Sequence, residues 1–397
     1  MKKKILIFCD FYLPGYKSGG GMWTVVNLVD RFSGTYDFYV VTRNYESKGD
    51  TEPYTSVRSG AWNSVGNAQV FYLVKEHYSL KTFVALVSEV APDAVFLNSA
   101  FSMPVVKFLT ARRKRLVPTV PVILAPCGEF SAGALSIKPI KKKLFLTYAK
   151  AVGMYDDVIW KASFDAEKDE IARLIGRDSE IFVAPDLAPR SILPGFDIDS
   201  KPHKPTCSAH FVLLSRIARK KNIHYFIERL ADIDSGDITV DLLGPVEDEE
   251  YWNECLTAAR RLPSFINVNA EAAFIPYENG LRRMVESHFF VLPTLGENFG
   301  YVFLEAMAAG APLLISDKTV WGELEKRNAG WQVPLESPEK WVEKIKLCVD
   351  MDPASYREMS RNARQYAMDW LGNDHTERAT AKVIERAISG RSAVKDE

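Results

Sequence analysis

Short apolar runs rich in β-branched and aromatic residues alternate with longer amphipathic segments along nearly the whole chain, and the series starts twice. "KILIFCD" leads into a segment patterned as a helix from about Gly21 to Phe32, followed by "YDFYVVT", "AQVFYLV", a helix around residues 80–90 and "DAVFLNS". A helix ending in "ARRKR", then "PVILAPC", the segment 139–153, "DVIWKAS", a helix over 165–175 and "EIFVAPD" complete the first series. The stretch "LAPRSILPGFDIDSKPHKPTC", 187 to 207, has no period and is rich in Pro, Asp and Ser, so it reads as a linker. The series then restarts with "HFVLLSR", a helix over 223–231, "ITVDLLG", a helix over 250–261, "INVNA", a helix over 277–286, "FFVLPT", a further helix, "PLLIS" and more helices. Strands that are apolar throughout and separated by helix-length segments belong to parallel sheets covered on both faces. The pattern therefore predicts two doubly wound α/β domains: residues 1–187, a linker over 188–207, and residues 208–372.

Size agrees, since 397 residues exceed what one core usually holds. Lys and Arg number 50 against 51 Asp and Glu, a balance that gives no reason to expect a nucleic-acid partner. The five cysteines are widely spaced without a CxxC pair, which reads as free thiols in a reducing compartment. Three N-terminal lysines precede only "ILIFC", too short for a signal peptide, and no apolar run approaches a membrane span. The expected location is cytoplasmic.

Ligands of doubly wound domains sit beyond the carboxyl ends of the strands, and with two such domains the cleft between them is the natural site. Four stretches point there. "FYLPGYKSGGGM" puts Gly19, Gly20 and Gly21 just before a helix, where backbone N–H groups can approach an anion; it is neither a Walker loop nor GxGxxG, since Thr24 stands in the third glycine's place. "SRIARKKN" sets Arg216 and Lys221 on the loop leaving the first strand of the second domain, before a helix that Asn222 could cap. "TLGENFG" puts Glu297 past another strand end, with the amides of Asn298, Phe299, Gly300 and Tyr301 opening a helix and offering an anion site. Glu305 lies in that helix, "YVFLEAMAAG", which is otherwise apolar, and an ionised carboxylate there costs several kcal/mol unless something hydrogen-bonds it. A nucleotide sugar has both kinds of group these residues would serve: a diphosphate for the basic loop and helix start, and hydroxyls for the two glutamates. A cap and a buried ion pair would also account for the glutamates, while leaving the basic loop unexplained.

These stretches resemble a family. The E-x7-E pattern in "ENFGYVFLE" followed by "AMAAGAPLLIS" is similar to retaining glycosyltransferases of family 4, which have the GT-B fold of two Rossmann-like domains facing a central cleft. "SRIARKKNI" looks like the family's R-x4-K segment, "LLGP" like its next strand, and "FYLPGYKSGGG" like its N-terminal glycine loop. "ARQYAMDWLGNDHTERATAKVIERAI" looks like the C-terminal helices, the last of which, about 376–397, would pack back onto the first domain. The resemblance implies sugar transfer from a nucleotide donor with retention, with Glu297 on donor-sugar hydroxyls, Glu305 on the ribose, and Arg216 and Lys221 on the diphosphate. Two departures stand out. Many members have a histidine where this chain reads "APCGEFSAGAL", which makes Glu129 a candidate substitute. "VAPDLAP" replaces the usual Pro-Asn-Gly, a change expected to affect the hinge.

The reading is a glycosyltransferase without a cofactor, taking a nucleotide-diphosphate sugar and a saccharide or lipid-linked acceptor, with bacterial envelope polysaccharide as the expected product class. No metal is expected, because the Asp-x-Asp tripeptides at 197–199, 232–234 and 350–352 follow no apolar strand. The alternative is a catalytically silent GT-B-like binding subunit, which donor hydrolysis would exclude. A dinucleotide oxidoreductase is more remote, since Arg43 stands where an acid is needed at the second strand's end. "ARRKR" (111–115) and "KPIKKKLFLTYAK" (138–150) concentrate positive charge in the first domain. With Leu144, Phe145 and Tyr148 they could hold anionic lipid, or be solvated lysines on an ordinary helix.

Overall fold

The structure, a computed structural model, describes residues 1–16, 18–46, 50, 52–136 and 138–390. It divides into unit 1, Met1–Ala188 together with the chain from Asp374 on, and unit 2, Pro189–Asn373. In unit 1 the order is β1 (Lys3–Phe8), α1 (Gly20–Phe32), β2 (Tyr36–Arg43), β3 (Trp62–Val65), β4 (Ala68–Leu73), α2 (Leu80–Val90), β5 (Ala94–Asn98) and α3 (Met103–Arg113). It continues with β6 (Val122–Ala125), α4 (Ala132–Ser136), α5 (Pro139–Ala151), β7 (Val158–Ala162), α6 (Asp165–Leu174) and β8 (Ile181–Val183). The sheet runs β3-β4-β2-β1-β5-β6-β7-β8 and is parallel except for the edge hairpin of β3 with β4. Along β1 the side chains alternate between two cores, as the two-residue strand period requires: Leu6 and Phe8 join one, Ile5 and Ile7 the other.

Unit 2 contains β9 (Ser208–Leu214), α7 (Ile223–Leu230), β10 (Asp237–Leu243), α8 (Glu249–Ala259), β11 (Ile266–Glu271), α9 (Tyr277–Glu286), β12 (Phe289–Leu292), α10 (Tyr301–Ala308), β13 (Leu313–Ser316), β14 (Gly330–Val333), α11 (Pro338–Asp350) and α12 (Pro353–Gly372). Its sheet, β11-β10-β9-β12-β13-β14, is wholly parallel. The last helix, α13 (His375–Ser389), lies in unit 1, where Val383, Ile384 and Ala387 join the core that also holds Val25 and Leu28 of α1. Residues 391–397, included in the expected last helix, lie outside the described residues.

The segment read as a linker is packed into unit 2. Lys201 is buried, and its Nζ donates to the carbonyls of Met284 (2.9 Å), Val285 (2.8 Å) and Ser287 (2.6 Å), closing the C-terminus of α9. Lys204 does the same for α11 through Val349 O (3.1 Å) and Met351 O (2.7 Å). Their N–H groups satisfy orphan helix carbonyls, and although burial pushes the Lys201 amine down to about 7, these hydrogen bonds anchor what composition alone presents as a tether. The aspartates of the Asp-x-Asp tripeptides have local tasks: Asp197 accepts from Asp199 N, Asp234 pairs with Lys346, and Asp352 caps α12 through Ala354 N and Ser355 N.

Candidate active site

In unit 2 the loops after β9, β10 and β12 are stitched together by backbone. Ser215 N donates to Leu243 O (3.0 Å), Ile217 N to Pro245 O (2.8 Å) and Glu247 N to Ile217 O (3.0 Å). Gly244, at φ 139°, permits this closeness, since a Cβ there would collide with the Ser215 carbonyl. Leu295 N donates to Lys220 O (2.8 Å), tying the β12 loop to the basic turn. Asn222 sits at the start of α7 in left-handed conformation (φ 57°) and makes no side-chain cap, contrary to the capping expected of it. A left-handed residue at that point turns the basic loop; it does not aim its amide at the helix.

This stitching sets Lys221 against Glu297. Lys221 Nζ lies 2.6 Å from Glu297 Oε1, with the two side chains only 11% and 13% exposed. Thr294 Oγ1 donates to the same oxygen at 2.9 Å. Burial pushes the Glu297 carboxyl up, but the charges of Lys221 and Lys220 and the two hydrogen bonds outweigh it and hold the carboxyl below its ordinary range. α10 then opens at Gly300 (φ 74°), with no acid in its first turn, so the dipole end is unopposed there. The Phe299 and Tyr301 rings pack on each other at 4.9 Å and Phe299 also meets Trp321 at 5.5 Å, so these residues can offer a ligand their backbone but not their rings. Asn298 lies in the loop between Glu297 and that helix start.

Glu305 is different. It sits in the middle of α10, half-buried among Leu304, Ala306 and Met307; among the described residues its carboxylate makes no hydrogen bond or ion pair, and the Tyr277 phenol is near enough to feel its charge. Desolvation pushes its pKa up to about 7. A carboxylate on an apolar helix, unbonded among the described residues, is an acceptor open to a ligand's donor.

The two arginines of the basic loop point elsewhere. Arg216 pairs with Glu247, both about half exposed. Arg219 forks onto Glu254 at 2.8 and 3.0 Å and reaches Asp248 at 3.2 Å. Sequence reasoning passed over Glu247, though the acidic run "VEDEE" beside a basic loop was a signal for it.

The glycine turn and Glu129 belong to unit 1. Gly19 (φ 70°) precedes α1, and the Gly21 carbonyl accepts from Asn98 Nδ2 at 2.8 Å. Glu129, expected as a substitute for histidine, already has its carboxylate occupied. It accepts from Ser99 Oγ (2.8 and 3.0 Å), Ala100 N (2.6 Å) and Phe101 N (3.3 Å), and so holds the turn after β5, where Ser99 has φ 105°. The loop carrying it is held in turn by Glu167, fully buried, which accepts from Gly128 N and Ser163 N at 2.6 Å each. Glu167 was missed. Its signal was a glutamate in the first turn of a helix directly after a strand, placed to reach back to an N-terminal amide. Asp186 in "VAPDLAP" is likewise more than a hinge change: it forms a buried ion pair with Lys161 at 2.9 Å.

No helix of the described residues is long and apolar enough to cross a membrane. Residues 196–366 match the family described as Glycosyl transferases group 1. Among curated proteins, none matches the sequence significantly. The chain is similar in structure to sucrose-phosphate synthase from Thermosynechococcus elongatus, with a TM-score of 0.71 at 15% identity, covering 98% of this chain and 100% of that one. It is similar to HepE of Anabaena in complex with UDP-glucose, at a TM-score of 0.65 and 15% identity over 98% and 100% of the two chains. It is also similar to WaaG, a glycosyltransferase involved in lipopolysaccharide biosynthesis, at 0.63 and 14% over 96% and 99%. Residues 196–366 are therefore a group 1 glycosyltransferase domain, carried on a chain of GT-B architecture, and the chain is an enzyme of the glycosyltransferase class.

Proposed function

We propose that the chain is a retaining glycosyltransferase of family 4 that moves a sugar from a nucleoside diphosphate sugar to a saccharide or lipid-linked saccharide of the bacterial envelope. The observation that carries this reading is the contrast between the two glutamates: Glu297 is paired and charged beside Lys221, while the carboxylate of Glu305, eight positions on, is half-buried and makes no hydrogen bond or ion pair among the described residues. In this reading the donor's ribose hydroxyls donate to Glu305. Its diphosphate meets Lys221, Arg216 released from Glu247, and the amides opening α10, and its sugar hydroxyls meet Glu297. Negative charge builds on the bridging oxygen as the anomeric C–O bond breaks, and fixed cations with a helix start are suited to that charge. The acceptor hydroxyl attacks the anomeric carbon from the face the diphosphate leaves, and its proton passes to the departing diphosphate oxygen. Unit 1 takes the acceptor, with Glu129 positioning the β5 turn. UDP is the first nucleotide to try, given the UDP-glucose bound to the structurally similar HepE.

A thermal-shift screen of nucleoside diphosphate sugars identifies the donor, because a ligand at a hundred times its Kd stabilises the fold by about 2.7 kcal/mol. NMR of the first-formed product should then show the donor's anomeric configuration. Inversion, or no shift with any nucleotide sugar, contradicts the reading.

A further inference from the structure

The outward face of α5 is built the wrong way round for water. Its inward face is already apolar: Leu146 and Ala149 are buried, and the Phe145 ring packs on Phe101 at 5.8 Å. The opposite side carries Ile140, Leu144 and Tyr148, which are 76%, 67% and 59% exposed. Spaced by four residues each, they form one ridge along the helix. A helix with a second apolar ridge turned to solvent leaves a patch that marks an interaction surface.

Along α5 itself the charge is of one sign. From Phe130 to Tyr155 the chain has five lysines and no acidic residue. Lys142 is engaged inward, donating to Ala134 O at 2.6 Å above the Phe101 ring, and Lys150 donates to Leu174 O at 2.9 Å. Lys138, Lys141 and Lys143 are exposed beside the ridge. The second basic stretch adjoins the far end of the same helix: Arg112 donates to Asp156 O at 2.8 Å and Arg113 to Val152 O, leaving Lys114 and Arg115 exposed next to Leu116, itself 47% exposed. Phe145, counted with the apolar surface from sequence spacing, is inside; Ile140 takes its place.

We propose that this face docks on an anionic lipid surface, with Ile140, Leu144 and Tyr148 entering the headgroup boundary and Lys138, Lys141 and Lys143 meeting lipid phosphates. This deepens the functional reading, on which it rests for its purpose, by naming a lipid bilayer as the place where unit 1 meets its acceptor. Three side chains on one helix fall far short of the roughly 20–30 residues per side of a stable protein interface. They suit a single helix lying at a headgroup boundary, where each lysine adds about fivefold to partitioning.

The test is co-sedimentation of the full chain with vesicles of phosphatidylcholine alone or mixed with phosphatidylglycerol, without nucleotide. Binding is expected only to the anionic vesicles, released by high salt. Lys141→Glu/Lys143→Glu should weaken it by at least about 25-fold, two lysines at fivefold each. Ile140→Glu/Leu144→Glu should weaken it at least about tenfold at unchanged lysine content, since each buried CH₂ contributes roughly 0.8 kcal/mol. Leu347→Glu, on exposed α11 surface of unit 2, should leave it unchanged. Absence of binding to anionic vesicles at low salt overturns the proposal, as does equal binding by Ile140→Glu/Leu144→Glu. Donor-induced thermal shifts of the same variants, expected at the wild-type value, report separately on fold and on the donor reading.

Discussion

Lys221 Nζ and Glu297 Oε1 are 2.6 Å apart at the carboxyl ends of β9 and β12, in a pair nearly closed to solvent. Removing one member of such a pair leaves the other charge without compensation, which costs about 3–5 kcal/mol in buried sites. Lys221→Met should therefore destabilise the protein strongly, and Lys221→Met/Glu297→Gln should recover much of the loss. A double-mutant cycle by chemical denaturation should give a coupling of about 2 kcal/mol; additive effects would show the pair is not an energetic unit.

Glu305 gives a pH signature. Its folded pKa, about 7, lies above the ordinary value of 4.5, so the fold binds a proton that the unfolded chain gives up. The stability this group contributes is full below pH 4.5 and is lost as pH rises through 7. Glu305→Gln should then stabilise the ligand-free protein at pH 8 by about 1–3 kcal/mol, the cost of a buried group left unbonded. Donor hydroxyls favour the ionised carboxylate, so donor binding should release a proton below pH 7. Affinity should fall about tenfold per pH unit there, and the dependence should vanish in Glu305→Gln. Calorimetry in buffers of different ionisation heat measures the released proton directly.

Glu247 competes for Arg216. The pair is half exposed, and such pairs contribute about 0–1 kcal/mol. Glu247→Gln should leave thermal stability unchanged while raising donor affinity about two- to fivefold at low salt. The gain should disappear at high ionic strength. An unchanged Kd at low salt would mean that Arg216 is not recruited to the diphosphate.

Activity should survive saturating EDTA. In the proposed mode the diphosphate is met by Lys221, Arg216 and the start of α10, while Asp197, Asp234 and Asp352 serve as caps and an ion-pair partner. Complete loss of transfer, restored by magnesium or manganese, would contradict this.

Elements that are apolar throughout were readable from the sequence because their pattern is decisive. "HFVLLSR" and "FFVLPT" have no polar face to confuse them with anything but buried strands, and β9 and β12 lie there. β3 and β14 were not: β3 has no buried residue, and β14 opens on a glycine and carries the polar Gln332 within its four residues. Ser59–Gly60 before β3 and Gly66–Asn67 after it were its turn signals, and β14 begins at Gly330, whose missing Cβ lets Leu313's backbone approach. At the site, Glu297, Glu305 and Lys221 stood out by residue type and spacing. Their partners did not. That Lys221 meets Glu297, that Arg216 turns to Glu247, and that Glu129 is filled by the amides of Ala100 and Phe101 are facts of tertiary placement across 76, 31 and 29 residues of chain. Lys201 and Lys204 looked like linker polarity because a helix C-terminus needing a donor is invisible from a distant stretch of sequence.

In the proposed mode unit 2 holds a nucleoside diphosphate sugar with Glu305 on its ribose and Glu297 on its sugar. The Kd of Glu305→Ala and Glu297→Ala for UDP and for the donor found by the screen, alongside turnover, decides this. Glu305→Ala should bind both ligands about 5- to 150-fold more weakly, the equivalent of 1–3 kcal/mol of lost hydrogen bonding. Glu297→Ala should bind UDP within about twofold of wild type yet lose turnover, because its partner is the reacting sugar. Wild-type affinity for UDP in Glu305→Ala, with wild-type turnover in Glu297→Ala, would contradict the account.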